Sequence, residues 1–276
     1  MSEENPEIGQ SVDVGGIATN YHRIGSGEPV FLIHGSGPGV SAWANWRLIL
    51  PELSEEFDVA APDIVGFGFT DRPDGFEYNM ANWRKHLLGF ADAIGLEKFS
   101  LVGNSFGGGL AISMAVNHPE RVDKLILMGS AGISFPLTDG LDKVWGYEPS
   151  LENMEDLMKV FAWNPEIGAN KDLAKLRYEA SIRPGFHESF SQMFPTPRQN
   201  GIEDLATPED QIRQITAPTL IVHGRDDQVI PLDNAYRFHQ LIDNSQLHVY
   251  GQCGHWTQIE KAAEFTRLVA SFLHSN

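Results

Sequence analysis

Four separated stretches of this 276-residue chain carry the residue types that covalent catalysis uses. Gly103-Asn104-Ser105-Phe106-Gly107 sets a serine between two glycines. Residues 223–231 hold two adjacent acids, Asp226 and Asp227, after Gly224. Gly254-His255-Trp256 offers an imidazole near the end of the chain. A serine hydroxyl is a weak nucleophile until a histidine takes its proton, and a carboxylate behind the histidine fixes the tautomer and stabilises the imidazolium. Serine, histidine and either acid together point to nucleophilic attack on a carbonyl. The fourth stretch, His34-Gly35-Ser36-Gly37-Pro38-Gly39, is dense in glycine, so its backbone can approach a ligand closely. The Ser36 and Phe106 amides are the candidate donors to a developing oxyanion. A phosphate-binding loop is disfavoured, because no Gly-Lys-Ser/Thr follows and Pro38 lacks an N–H.

These residues need elements that deliver them to one place. Short apolar runs at 30–33, 59–62, 99–102, 124–128, 219–222 and 246–250 alternate with helical patterns. That alternation predicts a mostly parallel sheet with helices on both faces. Residues 11–13 and 19–23 read as an antiparallel hairpin at the sheet edge. Residues 80–94 read as a helix, capped by Asn79 and stopped by Gly95, with Met80, Trp83, Leu87, Ala91 and Ile94 on one face. Residues 108–117 read as an apolar helix ended by Pro119. A strand that turns abruptly into a helix strains its central residue and crowds the positions two either side, which explains Gly103 and Gly107.

The chain order serine, acid, histidine is that of the α/β-hydrolase fold. The usual pattern of that fold puts the acid three residues after the glycine, which favours Asp227 and leaves Asp226 exposed or paired with Arg225. Residues 133–207 break the strand–helix rhythm, with helical patches at 151–161 and 173–181. They read as a helical cap inserted between core segments 1–132 and 208–276; loops of that length are uncommon unless functional.

Composition narrows the rest. A net charge of −17 opposes binding to nucleic acid or to an anionic membrane surface, and requires local positive charge for any anionic substrate. The single cysteine, Cys253, excludes an internal disulfide and fits a cytoplasmic protein. The opening Met1-Ser-Glu-Glu-Asn-Pro has neither the basic nor the apolar region of a leader, and no apolar run approaches membrane-spanning length. Neither H-E-x-x-H nor C-x-x-C spacing occurs, so no metal or other cofactor is expected. Of the ten histidines, His34 reads as support for the oxyanion loop, and His118, His223 and His248 as packing or surface residues. Cys253 lacks an elbow and an oxyanion partner, and reads as a small buried residue.

At these motifs the chain resembles the meta-cleavage product hydrolases, which act in bacterial breakdown of aromatic rings. It is most similar to the branch acting on 2-hydroxymuconic semialdehyde and 2-hydroxy-6-oxohepta-2,4-dienoate. The resemblance covers nearly the whole chain. It is carried by His-Gly-Ser-Gly-Pro-Gly-Val-Ser-Ala-Trp-Ala-Asn-Trp-Arg at 34–47, Val-Gly-Asn-Ser-Phe-Gly-Gly-Gly at 102–109, Val-Trp-Gly-Tyr at 144–147, Arg-Tyr-Glu-Ala-Ser at 177–181 and Gly-His-Trp-Thr-Gln-Ile-Glu at 254–260. The first and last are much more specific than the triad alone.

The resemblance implies an eight-stranded, mostly parallel sheet with an inserted helical cap. It also implies hydrolysis of the C5–C6 bond of a dienoate to 2-hydroxypenta-2,4-dienoate and a carboxylic acid. It assigns the substrate carboxylate to Arg177 and the flanks of the dienoate to Gly35, Asn45, Asn104 and Trp256. Hydrogen or a short alkyl group is implied at C6, with Ser130, Ala131, Ile133 and Trp145 as candidates for the surface that meets it. A homo-oligomer, dimer or larger, is implied as well. A carboxylesterase or lactonase on the same scaffold is the alternative, distinguished by an uncharged cleft. Asp-dependent dehalogenases and epoxide hydrolases are disfavoured by Ser105. A non-catalytic module of this fold is disfavoured by the complete set of triad residues.

Overall fold

The computed structural model describes residues 5–275. Residues 1–4, on which most of the leader argument falls, lie outside the described residues. Eight strands form one sheet: β1 (Gln10–Asp13), β2 (Ala18–Ile24), β3 (Pro29–Ile33), β4 (Asp58–Pro62), β5 (Phe99–Asn104), β6 (Val122–Met128), β7 (Thr219–Gly224) and β8 (Ser245–Tyr250). Their spatial order is β1-β2-β4-β3-β5-β6-β7-β8. The edge hairpin pairs antiparallel, β2 joins β4 antiparallel, and every pair from β4 through β8 is parallel.

The continuous apolar runs follow from burial on both faces. Phe31, Ile33, Leu101, Leu125 and Leu127 point into one core. Their neighbours Val30, Leu32, Val102, Ile126 and Met128 point into the other. A strand whose alternate side chains both meet helices has no polar face to show in its sequence.

The helix Met80–Ala93 starts where Asn79 accepts from the Asn82 amide and ends before Gly95, whose φ is +78°. The helix after β5 departs from expectation. It spans Phe106–Asn117 and so begins two residues before the predicted start. Three successive glycines disfavour a helix intrinsically, but here close packing requires the first two. A Cβ on Gly107 would sit 2.4 Å from the Ile33 carbonyl oxygen, and one on Gly108 would sit 2.1 Å from Ser130 Oγ.

The chain between β6 and β7 is helical, including Asp139–Trp145, Leu151–Phe161, Lys171–Ser181 and Phe186–Met193. Among the described residues no helix is long and apolar enough to cross a membrane.

Strand order reverses at β3. The chain moves from β3 to β4 on one side and returns to β5 on the other. Loops leaving β3 and β5 therefore diverge and open a crevice at their carboxyl ends, the usual ligand position in an open α/β sheet.

Candidate active site

Ser105 stands at the end of β5 with φ +54° and ψ −116°, one of two non-glycine residues at positive φ among those described. The turn is over-determined. The Ser105 amide donates to the Met128 carbonyl at 2.9 Å, and its own carbonyl accepts from Gly108 and Ala131, each at 3.0 Å. A Cβ on Gly103 would lie 2.6 Å from the Gly107 carbonyl oxygen. Strain of this kind persists only where surrounding contacts enforce it.

Asp227 follows β7 and His255 follows β8. Their side chains meet at 2.7 Å, His255 Nδ1 to Asp227 Oδ2. The other carboxylate oxygen accepts from the Val229 amide at 2.7 Å and the Ile230 amide at 3.0 Å. Burial alone would raise this acid, but the His255 charge and hydrogen bonds from His223 and His255 outweigh it, and the carboxyl is held far below its ordinary range. Asp226 instead takes Arg225 at 3.4 Å and the Cys253 amide at 3.4 Å.

The His255 and Trp256 amides both donate to the Phe161 carbonyl, at 2.8 and 3.2 Å. The Phe161 and Trp256 rings stack at 4.7 Å. The last residue of the helix Leu151–Phe161 thus fixes the histidine loop, a contact that no local sequence signal announces.

The oxyanion loop rests on His34. Its Nδ1–H donates to the Gly35 carbonyl at 2.7 Å, and its Nε2 accepts from the Ile64 amide at 3.0 Å. This arrangement needs a neutral ring, and burial lowers the imidazole to about 4. Among the described residues, neither the Ser36 nor the Phe106 amide has a protein acceptor. Gly35 is required for close approach, since a Cβ there would meet Asn104 Oδ1 at 2.9 Å. The Ser36 hydroxyl accepts from Trp145 Nε1 at 3.0 Å and ties the helical segment to the loop.

One cavity is lined by Ser105, His255, Gly35, Ser36, Asn45, Asn104, Trp256 and Arg177. Phe106, the remaining site candidate, is buried with its ring against Trp83 at 4.8 Å. Arg177 donates to the Pro38 carbonyl at 3.1 Å. Among the described residues it makes no ion pair; Glu179 pairs with Lys175 instead. Burial lowers its guanidinium to about 10, with Glu7 opposing that shift and Arg47 and Arg183 adding to it. Arg47 also lines the cavity, and its Nη1 donates only to the Ala44 carbonyl at 2.8 Å. Asn45 Nδ2 and Gln258 Oε1, both buried in the same wall, have no protein partner among the described residues. Asn104 Nδ2 donates to the Met128 carbonyl at 3.3 Å.

The apolar wall is made by Leu141, Val144, Met154, Leu173 and Val229. Ser130, Ala131, Ile133 and Trp145, the sequence candidates for the C6 surface, are buried nearby but do not line this cavity. The segment 130–133 turns back over the nucleophile's carbonyl, where the Ala131 amide bonds to it.

Cys253 is fully buried, and burial pushes its thiol up to about 12. His118 and His248 stand apart from the cavity, whereas His223 is buried 3.4 Å from Asp227 Oδ2. No cluster of metal-ligating side chains exists among the described residues. The arrangement provides a strained serine, a carboxylate-backed histidine, two uncommitted amides and arginines without acidic partners, all around one space.

Comparison with known proteins identifies the family. Residues 28–262 match the model of the α/β-hydrolase fold family. The chain is 56% identical over 273 residues to the 2-hydroxy-6-oxo-2,4-heptadienoate hydrolase of Pseudomonas putida, covering 99% of each chain. It is 54% identical to the 2-hydroxymuconate semialdehyde hydrolase of Pseudomonas sp. strain CF600, covering 98% of this chain and 95% of the other. A crystallised meta-cleavage product hydrolase from Pseudomonas fluorescens IP01, a serine-to-alanine mutant complexed with acetates, superposes with a TM-score of 0.96 at 55% identity, covering 98% of each chain.

Proposed function

Because the chain belongs to the meta-cleavage product hydrolases of the α/β-hydrolase fold family, we propose that Ser105, His255 and Asp227 are the catalytic triad through which it works. It is a serine-hydrolase-type enzyme of aromatic catabolism that hydrolyses a carbon–carbon bond in 2-hydroxy-6-oxo-hexadienoate and -heptadienoate ring-cleavage products. The observation that carries the residue assignment is the single cavity with Ser105 and His255 in its wall together with an arginine that has no ion-pair partner among the described residues.

A carbon–carbon bond has no ready leaving group, so the substrate supplies one. Transfer of the 2-hydroxyl proton to C5 creates a 2-oxo group that can accept electrons. Arg177 holds the substrate carboxylate through its planar fork of donors, with Asn45, Asn104 and Trp256 beside the dienoate. Ser105 Oγ adds to the C6 carbonyl as His255 takes its proton, and the Ser36 and Phe106 amides bind the oxyanion. Collapse of this adduct breaks C5–C6. The electron pair passes through the conjugated carbons to the 2-oxygen, which takes the proton held by His255, and 2-hydroxypenta-2,4-dienoate leaves. Water, giving a proton to His255, then releases the carboxylic acid from Ser105. Asp227 holds His255 in the required tautomer throughout.

The two relatives with semialdehyde and heptadienoate substrates favour hydrogen or methyl at C6. Residues 133–207 act as the cap that contributes Arg177 and the apolar wall. The reduced single cysteine favours the cytoplasm. An esterase or lactonase is disfavoured, since a neutral substrate leaves two cavity arginines with no direct ion-pair partner among the described residues.

Ser105→Ala tests the assignment. It is expected to abolish loss of the dienoate's visible absorbance while the protein still binds the dienoate. Full turnover by this variant would remove Ser105 from the mechanism.

A further inference from the structure

We infer that His223 is a positioning residue for the triad acid, a second histidine that shares the Asp227 carboxylate with His255. This rests on the triad assignment above. His223 lies near the carboxyl end of β7, four residues before Asp227, and is buried. Its Nε2 stands 3.0 Å from the Ile230 carbonyl oxygen and 3.4 Å from Asp227 Oδ2. Both neighbours are acceptors, so Nε2 carries the proton and donates to the two of them. Asp227 Oδ2 therefore faces His255 Nδ1 on one side and His223 Nε2 on the other, while Oδ1 takes the Val229 and Ile230 amides.

This arrangement does two things. It fixes the rotation of the carboxylate, because donors from two directions meet each oxygen. It also joins the acid loop to its own strand, since His223 reaches the carbonyl of Ile230 beyond the turn. The titratable groups that face Asp227 are His255 and His223, with the neutral Cys253 thiol more remote. Arg225 and Asp226 turn away to each other. Hydrogen bonds to a charged acceptor are stronger than neutral ones, and a buried carboxylate deprived of a donor concentrates its charge on the donors that remain. Without His223, the charge falls more fully on His255 and stabilises its protonated form.

The test compares His223→Leu with His223→Gln, whose side-chain amide can reproduce an Nε2–H donor. In the leucine variant kcat is expected to fall roughly tenfold on the dienoate and on a neutral p-nitrophenyl ester alike. The acidic limb of its pH–rate profile is expected to move to higher pH, and the glutamine variant to recover both properties. Equal losses in both variants with an unmoved acidic limb would reduce His223 to a space-filling role, and unchanged kinetics in both would remove it altogether. Nitrogen-15 NMR of the wild-type imidazoles gives an answer even if a variant does not fold. A proton on His223 Nε2 is expected, and a bare Nε2 would overturn the inference. Loss of the triad reading itself would show separately, as retained turnover in Ser105→Ala.

Discussion

The two ends of the cavity treat buried charge in opposite ways. At the Asp227 end each carboxylate oxygen meets two donors, and the net effect holds the group ionised despite its burial. At the Arg177 end, Arg177 and Arg47 donate to backbone carbonyls, and Asn45 Nδ2 has no protein partner among the described residues. The first end is complete within the protein and therefore preorganised, with no rearrangement needed when His255 becomes charged. The second keeps unpaired donors among the described residues, in a chain of net charge −17, and on the proposed assignment an anionic ligand completes it. On the proposed assignments, the catalytic machinery is finished before substrate arrives, and the recognition machinery is finished by it.

The comparison breaks most visibly at the complete end. Asp227→Asn is expected to lower kcat by about 10⁴ on both a dienoate and a neutral ester, because the wrong histidine tautomer disables either reaction. Steady-state kinetics on the two substrates checks this; a larger loss from Asp226→Asn would move the acid by one residue.

The oxyanion loop, whose neutral His34 is likewise held by protein partners alone, should fail on acidification. His34 is lowered from 6.5 to about 4 in the folded protein, so the unfolded chain binds its proton first. Its contribution is fully present above about pH 6.5 and is lost as pH falls through that window toward 4, to a total of about 3 kcal/mol. Denaturant titrations at pH 7 and pH 4.5 should show a decline that a His34→Asn variant partly flattens.

The unsatisfied end gives a smaller and selective effect. Arg177→Met is expected to lower kcat/KM on the dienoate by roughly 10- to 100-fold while changing ester hydrolysis little. Equal losses on both would make Arg177 a packing residue. Least of all, Cys253→Ala should leave both rates near wild type. The wild-type thiol, pushed up to about 12, should resist alkylation at pH 7.

Local pattern revealed the skeleton and most of the site. The apolar runs located all of the parallel strands because both faces of each are buried. The helix Leu151–Phe161 matched the predicted patch to the residue, with Ser150 capping its start. The start of the helix at Phe106 was hidden, because glycines that signal a poor helix are there for packing: Gly107 admits the backbone of β3 and Gly108 admits Ser130.

Contacts between distant segments left no such trace. His223 read as ordinary packing, since nothing in its neighbourhood shows that the acid loop folds back over it. Phe161, Gln258 and Arg47 reach the cavity through tertiary placement alone. Ser130, Ala131, Ile133 and Trp145, expected at the C6 surface, do not line the cavity, whereas Leu141, Val144 and Met154 do, and no local pattern marks the difference.

The most direct measurement is a crystal structure of Ser105→Ala with 2-hydroxy-6-oxohepta-2,4-dienoate bound. The substrate carboxylate should lie on the Arg177 guanidinium, and the C6 carbonyl oxygen between the Ser36 and Phe106 amides. A dienoate bound in the reverse sense, or one that leaves Arg177 on the Pro38 carbonyl with no ligand contact, would contradict the division between a finished catalytic end and an end that substrate completes.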